Sequence, residues 1–269
     1  MRLVDLKRRN LVSLLGIATS LLMLPLSVLA AAWNKAAFDA EKLDDAEKGL
    51  EINGETPSSN INVIAPDRAE NGAIVQVEIV ANIPNVEAIA IFVEKNPTPL
   101  IANVMLAKGA QAKLTTRIKM AETSDIKVIV KADGKYFTAS KNVQVLENGC
   151  GGGGSANEKF ESSIKLRAKL KSDVSSKNLV TEIKAIIIHP MHTGRATDDS
   201  ANIIPAHFIQ MADLMVNGQP VFHMQWGTGI AKNPYLTCYV DNAKVGDKVS
   251  LTWHDNLGNT GSGEIEVTA

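Results

Sequence analysis

Cysteine is scarce in this sequence, so disulfide bonds contribute little to its stability. Only two cysteines occur, Cys150 and Cys238, so at most one disulfide can form. Aromatic residues make up 4% of the chain, which leaves Val, Ile, Leu and Ala to build the core. The sequence has no glycine-rich phosphate loop and no rhythm of alternating strands and helices, features that nucleotide-binding enzymes share. The net charge of −1, without a basic patch, argues against nucleic-acid binding.

The N-terminus has the pattern of an export signal. Lys7, Arg8 and Arg9 precede an apolar run from Leu11 to Ala32 that is interrupted by Pro25. Small residues close this run, and Val28-Leu29-Ala30 is the expected peptidase recognition triplet. The paired arginines favour the twin-arginine route, so we expect residues 1–32 to contain a cleaved export signal and the mature protein to be periplasmic, with no membrane attachment. An uncleaved membrane anchor is the alternative, because the run approaches spanning length.

A glycine-rich stretch surrounds the first cysteine. Gly149 precedes Cys150, which is followed by Gly151, Gly152, Gly153 and Gly154. Because glycine restricts the backbone least, residues 148–157 are predicted to form a flexible arm with an accessible thiol. Cys238 lies in the strand-like segment Tyr235–Val240 and is expected to be buried, which leaves Cys150 unpaired in an oxidising compartment. A plain interdomain linker with an incidental cysteine is the alternative.

Periodicity predicts an all-β fold after one N-terminal helix. Apolar residues recur every three or four positions from Ala36 to Leu50, which indicates an amphipathic helix ending near Gly49. From residue 61 the period changes to two, as in Val75, Val77 and Ile79, and turn residues separate the short strands. We therefore predict two antiparallel, immunoglobulin-like β-sandwich domains, at 33–147 and 158–269, joined by the arm. Strands of the second domain are predicted near 180–188, 208–216, 219–225, 235–240, 248–254 and 263–267.

The histidines and cysteines also suggest two other kinds of site, a copper site and a hydrolase active site. His189, Met191, His192, His223 and Met224 offer copper-type ligands, but the segment around Cys238 lacks the His and Met that a type-1 copper site needs, so no metal is expected. A Cys/His hydrolase would require a rigidly placed nucleophile, which a glycine-rich arm does not provide. A carrier whose partners supply the chemistry, and which has no cofactor of its own, fits better than an enzyme.

Several motifs resemble those of a known family. In the first domain these are Ala65-Pro66-Asp67-Arg68-Ala69-Glu70-Asn71-Gly72, Val93-Glu94-Lys95-Asn96-Pro97 and Arg117-Ile118-Lys119-Met120. In the second they are His189-Pro190-Met191, Ile204-Pro205-Ala206-His207-Phe208-Ile209, Lys232-Asn233-Pro234-Tyr235-Leu236 and Trp253-His254-Asp255-Asn256-Leu257-Gly258. The first domain resembles SoxY, and the second resembles SoxZ, its partner in the periplasmic thiosulfate-oxidising Sox system. Together they resemble a fused SoxYZ carrier.

The resemblance implies a function and partners. SoxY ends in a Gly-Gly-Cys-Gly-Gly tail whose cysteine carries the sulfur substrate covalently, and Cys150 with Gly149, Gly151 and Gly152 matches that tail. Asn148 stands where the tail has a further glycine. The implied partners are the c-type cytochrome SoxAX, which couples thiosulfate to the thiol, the thiosulfohydrolase SoxB and the sulfane dehydrogenase SoxCD. The two domains are expected to contact each other tightly, as the SoxY and SoxZ subunits do.

The fusion departs from the family, in which the cysteine tail has a free end. Here the arm must enter a partner as a loop, and the upstream limb from Glu147 to Gly149 is its shorter side. At about 3.3–3.6 Å per extended residue, the sulfur would stand only about 10 Å from the body. The partners would then need wide entrances, or the chain would be cut after Cys150. A SoxYZ-like carrier or binding module that is associated with a quinoprotein dehydrogenase, without thiosulfate carriage, is the alternative function.

Overall fold

The computed structural model describes residues 32–149, 161–172 and 179–269. Two short helices, α1 (Lys35–Phe38) and α2 (Leu43–Gly49), precede the strands. Residues 33–149 are called the first block, and residues 161–269 the second. The first block contains β1 (Glu55–Pro57), β2 (Ile61–Ile64), β3 (Arg68–Asn71), β4 (Val75–Ala81), β5 (Val86–Val93), β6 (Leu100–Leu106), β7 (Ala110–Ile118), β8 (Ser124–Ala132) and β9 (Lys135–Glu147). The second contains β10 (Ile164–Ser172), β11 (Leu179–Ile187), β12 (Ile209–Val216), β13 (Gln219–Trp226), β14 (Tyr235–Asp241), β15 (Lys248–Asp255) and β16 (Thr260–Glu266).

Alternation of apolar and polar residues explains the strands. In β4, Val75, Val77 and Ile79 are at most 1% exposed, whereas Gln76 between them is exposed. Because successive side chains of a strand point to opposite faces, this pattern places one face in the core and the other in solvent. The all-β prediction is confirmed.

The N-terminal helical region differs from the single helix that the spacing predicts. The chain turns between α1 and α2, and the side chain of Asn34 caps α1 by accepting a hydrogen bond from the Ala37 amide. Asn34 also donates from Nδ2 to the carbonyl oxygen of Gly49 at 2.8 Å. A Cβ at Gly49 would lie 2.7 Å from the Ala37 Cα, so glycine allows the two helices to touch. Ala37 and Ala46 enter the same small apolar cluster, which is why the apolar spacing continues across the break.

Two sheets contain all the major strands, and each sheet passes through both blocks. The ten-stranded sheet has the order β1-β9-β8-β5-β6-β13-β12-β15-β16, and β3 also pairs with β9. The six-stranded sheet has the order β10-β11-β14-β7-β4-β2. One buried apolar cluster, drawn from both sheets and both blocks, lies between them. The sandwich is therefore continuous from one block to the other.

The junction between the blocks consists of two antiparallel strand pairs. In one sheet β6 pairs with β13, where Ala102 lies opposite Trp226. In the other β7 pairs with β14, where Leu114 lies opposite Cys238. On the outer face of this second pair, Lys113 lies over the ring of Tyr239, 4.7 Å from its centroid. The expectation that the two blocks contact each other tightly is confirmed.

The first described residues connect the blocks a third time. We call Ala32–Phe38 the strap. The indole Nε1 of Trp33 donates to the Trp226 carbonyl oxygen at 3.0 Å, and the Trp33 ring stacks on Phe38 at 5.2 Å between centroids. Phe38 also fills the space above Gly227, where a Cβ would lie 2.9 Å from the ring.

No helix among residues 32–149, 161–172 and 179–269 is long and apolar enough to cross a bilayer.

Candidate functional site

The predicted attachment site lies at the edge of the described chain. Cys150 and the glycines from Gly151 to Gly154 fall outside the described residues, and Gly149 is the last described residue before them. The structure therefore describes the place where the arm leaves the body. We call this place, formed by Glu147–Gly149 and their hydrogen-bond partners, the root of the arm.

Strand β9 carries the chain to the root. It pairs in parallel with β3, so that Arg68 lies opposite Gln144 and Asn71 lies opposite Glu147. The ladder then continues beyond β3, because the amide of Gly72 donates to the Glu147 carbonyl oxygen at 2.9 Å. The backbone upstream of Cys150 is thus held by sheet-type hydrogen bonds as far as Glu147.

Two glycines complete the root by close backbone contact. The Gly149 amide donates to the Met120 carbonyl oxygen at 3.0 Å, and the Met120 amide donates to the Gly72 carbonyl oxygen at 2.7 Å. A Cβ on Gly149 would lie 1.9 Å from the carbonyl carbon of Gly72, and a Cβ on Gly72 would lie 2.2 Å from the Met120 oxygen. Gly149 is buried. The sequence suggested glycine here for flexibility, but the described contacts show that Gly149 permits close packing.

The root adjoins the junction through Lys119, the residue before Met120. Lys119 is 7% exposed, and its ammonium group donates to carbonyl oxygens of the second block, to Met191 at 2.5 Å and to Thr228 at 3.0 Å. Asn96 fixes the backbone on both sides of Met120, donating to the Lys119 oxygen and accepting from the Ala121 amide. The Lys119 ammonium group donates hydrogen bonds to carbonyl oxygens across the junction, and it therefore links the root to the second block.

A buried cluster of ionisable groups lies beyond Met191. Nε2 of His207 lies 2.7 Å from Oδ2 of Asp255, and Nε2 of His189 lies 3.4 Å from the same oxygen. Burial lowers the pKa of His189 to about 4, and the nearby His207 contributes to the shift. Burial alone would raise the pKa of Asp255, but hydrogen bonds from Asn259 and His207 outweigh it and hold that pKa below its usual value.

The tautomer of His189 indicates that this cluster is held by hydrogen bonds and is not a metal site. Nδ1 of His189 accepts a hydrogen bond from the Met191 amide at 3.1 Å, so the ring proton of the neutral form resides on Nε2 and faces Asp255. A metal-bound histidine has the opposite arrangement, because its second nitrogen carries the proton and donates it. Although His189, His207 and Asp255 lie within 4.8 Å of one another, the tautomer makes His189 unsuitable as a metal ligand.

The second cysteine lies in the core. Cys238 is 1% exposed, as predicted, and burial raises the pKa of its thiol far above the ordinary value. Since the thiolate is the reactive form, Cys238 is chemically inert in the folded protein. Of the other histidines, His254 is exposed on β15, and Nδ1 of His223 lies 2.5 Å from Oδ1 of Asp213.

Comparison with known proteins identifies both blocks. A family model described as sulfur oxidation protein SoxY matches residues 51–150, and one described as sulphur oxidation protein SoxZ matches residues 169–266. Among solved structures, the sulfur carrier protein SoxY from Chlorobium limicola f thiosulfatophilum is 34% identical, with 42% of this chain and 100% of that chain covered and a TM-score of 0.37. A beta-glycosidase from Bacteroides vulgatus is 13% identical, with 83% of this chain and 26% of that chain covered and a TM-score of 0.25, too low to support an inference. No curated protein matches the chain.

Proposed function

The chain belongs to the SoxY and SoxZ families, which it joins in one polypeptide, and on this basis we propose that it is a periplasmic carrier of thiosulfate-derived sulfur. Cys150 is the attachment residue, and the carrier is not itself an enzyme. The SoxAX cytochrome, the thiosulfohydrolase SoxB and the sulfane dehydrogenase SoxCD are its proposed partners.

One observation supports the proposal most directly. The segment that matches SoxY ends on Cys150, and the structure anchors the residue before it, Gly149, to Met120 beside the block junction. The thiol therefore follows directly from a fixed point of the body. By contrast, Cys238 is buried in β14. A carrier needs one accessible sulfur on a stable body that partners can recognise, and the glycines around Cys150 suit it to that role.

The proposed loading step forms one sulfur–sulfur bond. The Cys150 thiolate and thiosulfate join to give the adduct Cys–S–S–SO3⁻, and the two electrons released pass to the haem irons of the cytochrome partner. Water then cleaves the terminal sulfonate as sulfate with release of two protons, leaving Cys–S–S⁻ on the carrier. Both steps take place in partner active sites, so the carrier need only present the sulfur.

Export is part of the proposal. Residues 1–32 carry the paired arginines and the small residues of the expected cleavage site. The twin-arginine route transports folded proteins, and such a route suits a chain whose two blocks share both sheets and would have to fold together. Fractionation of cells that express the full chain, with an arginine-pair variant (Arg8→Lys, Arg9→Lys) as control, tests the route.

Intact-mass analysis tests the carrier function. After incubation with thiosulfate and oxidised cytochrome partner, the protein should gain the mass of one S2O3 group, and peptide mapping should place it on Cys150. Cys150→Ser should abolish the adduct and change the free energy of unfolding by less than about 0.5 kcal/mol, as surface substitutions do.

Cys238→Ser is the matched control. It should retain the adduct but lower the free energy of unfolding, because a hydroxyl replaces a buried sulfur. An undiminished adduct on Cys150→Ser would refute the assignment. A carrier that loads no thiosulfate but supports a quinoprotein dehydrogenase would instead favour the alternative function.

A further inference from the structure

A histidine–aspartate pair lies on the outer face of the ten-stranded sheet, away from the core. Asp213 on β12 lies directly opposite His223 on β13, and Nδ1 of His223 lies 2.5 Å from Oδ1 of Asp213. Leu214 and Met224, the next residues along these strands, belong to the core, so the pair faces outward. Because an ionised carboxylate only accepts hydrogen bonds, the contact keeps the ring proton on Nδ1. A metal-bound histidine needs this arrangement, which His189 lacks.

The second ring nitrogen of His223 lacks a partner. Nε2 is buried and has no hydrogen-bond partner among the residues that the structure describes. The whole side chain is 13% exposed. Buried side-chain nitrogens nearly always have a partner, and an exception in a native protein calls for an explanation, such as a bound ion or water. In the neutral ring Nε2 carries a lone pair, so the missing partner is a hydrogen-bond donor or a cation.

The register of the sheet places a thioether beside this ring. Met105 on β6 lies opposite His223, on the side away from Asp213. Residues opposite each other in an antiparallel pair share a face, with Cβ atoms about 4.5–5.5 Å apart. Met224, which follows His223 in the sequence, is 1% exposed and lies on the inner face. One imidazole and one thioether favour Cu(I), because soft sulfur ligands select that ion and imidazole also suits copper.

We propose that Nε2 of His223 and the thioether of Met105 bind one monovalent copper ion on the outer face of the sheet, and that Asp213 orients the imidazole. Binding displaces no proton, since Nδ1 keeps its proton and Nε2 of the neutral ring has none. The site differs from a type-1 copper centre, because it uses no cysteine. It is independent of sulfur carriage, and its failure would leave the proposed role of Cys150 unaffected.

Competition with a chromogenic Cu(I) chelator under anaerobic conditions tests the proposal. The full-length chain with Cys150→Ser is the parent protein, because a thiol would itself bind Cu(I). The parent should take up one equivalent of copper, and His223→Asn should lose it while far-UV circular dichroism shows an unchanged fold. Asp213→Asn should weaken binding by about tenfold to a hundredfold, the usual effect of removing the carboxylate behind a metal-bound histidine. Met105→Leu should also weaken it, because it replaces the thioether with a side chain that cannot bind the ion.

Met224→Leu and His254→Asn are the matched controls, since Met224 lies on the inner face and His254 is an exposed histidine on β15. Both should bind copper as the parent does, and X-ray absorption of the copper-loaded parent should show nitrogen and sulfur ligands. A parent that takes up no copper, a His223→Asn chain that binds as tightly as the parent, or a spectrum without sulfur would overturn the proposal. Weakening by either control as large as that by Met105→Leu would place the copper elsewhere, and would overturn it too.

Discussion

Replacing Gly149 with alanine tests whether the root of the arm is anchored. The new Cβ would lie 1.9 Å from the Gly72 carbonyl carbon and 2.0 Å from its oxygen, far inside any contact that real atoms make. Backbone atoms on both sides prevent a side-chain adjustment, so we expect the root to open and the Gly149–Met120 hydrogen bond to break. Loss of one or two such bonds costs about 1–3 kcal/mol, which leaves the sandwich folded.

The opening changes the reach of the sulfur by a calculable amount. When Gly149 is fixed, Cys150 is the first residue free to move away from the body on the upstream side. One extended residue spans about 3.3–3.6 Å. Release of Asn148 and Gly149 adds two residues, or about 7 Å. On this count, which includes Cys150, the arm reaches about 3.5 Å from an anchored root and about 10 Å from an open one. Partner enzymes with deep channels should process the variant faster than the wild type.

A nitroxide spin label on Cys150 measures the opening. Buried Cys238 will not react, so no other cysteine needs to be removed. We expect a restricted spectrum for the wild type and a mobile one for Gly149→Ala. Gly72→Ala should give the same mobile spectrum, because its Cβ would lie 2.2 Å from the Met120 oxygen, and the double variant should add little.

Gly151→Ala is the control, since it adds the same methyl group on the other side of Cys150. If it mobilised the label as strongly as Gly149→Ala, the effect would not come from the root. A wild-type label as mobile as that of Gly149→Ala would refute the anchoring altogether.

Three further predictions follow from the junction and the buried cluster. Lys119→Met should lower the free energy of unfolding by about 1–3 kcal/mol, because it leaves the Met191 and Thr228 carbonyl oxygens without this donor. Urea denaturation measures the change. Lys135 is exposed, so Lys135→Met should show no such loss. The unfolded chain takes up a proton on His189 near its ordinary pKa of 6.5, whereas the folded chain does so only near 4, so stability should fall as the pH falls between these values, by at most about 3 kcal/mol. The same titration on His189→Asn should lack most of that slope, and an unchanged slope would contradict the assignment. Proteolytic cutting within residues 150–160 should leave the halves together on size exclusion, because β6–β13 and β7–β14 still pair, and elution as two separate halves would contradict the shared sandwich.

Local patterns predicted the strands well, because alternation is a local property. The Val75–Ala81 alternation and the strand at Tyr235 correspond to β4 and β14. The choice of β6–β13 and β7–β14 as the joining pairs was not predictable, since pairing between distant strands depends on tertiary packing. The break between α1 and α2 was missed for a similar reason, since it depends on contact between Ala37 and Gly49.

The assignment of Cys150 as the attachment residue stays a prediction, and what the structure adds concerns the glycine before it. Cys150 and its glycines are visible in the sequence, yet a glycine chosen for freedom and one chosen for close contact look alike there. The signal that separates them is the second glycine, Gly72, which faces Gly149 only in the folded chain. The role of Trp33 was likewise hidden, because its partners Phe208 and Trp226 are distant in sequence.

The covalent connection between the blocks makes their association in the shared sheets independent of protein concentration. Two separate subunits with the same junction would dissociate on dilution, and each would have to be made in equal amount. A short covalent connection holds its two ends at an effective concentration on the order of millimolar, whatever the amount of protein. The Lys119 link between the root and the second block is therefore independent of expression level, and a single chain always carries one copy of Cys150 per junction.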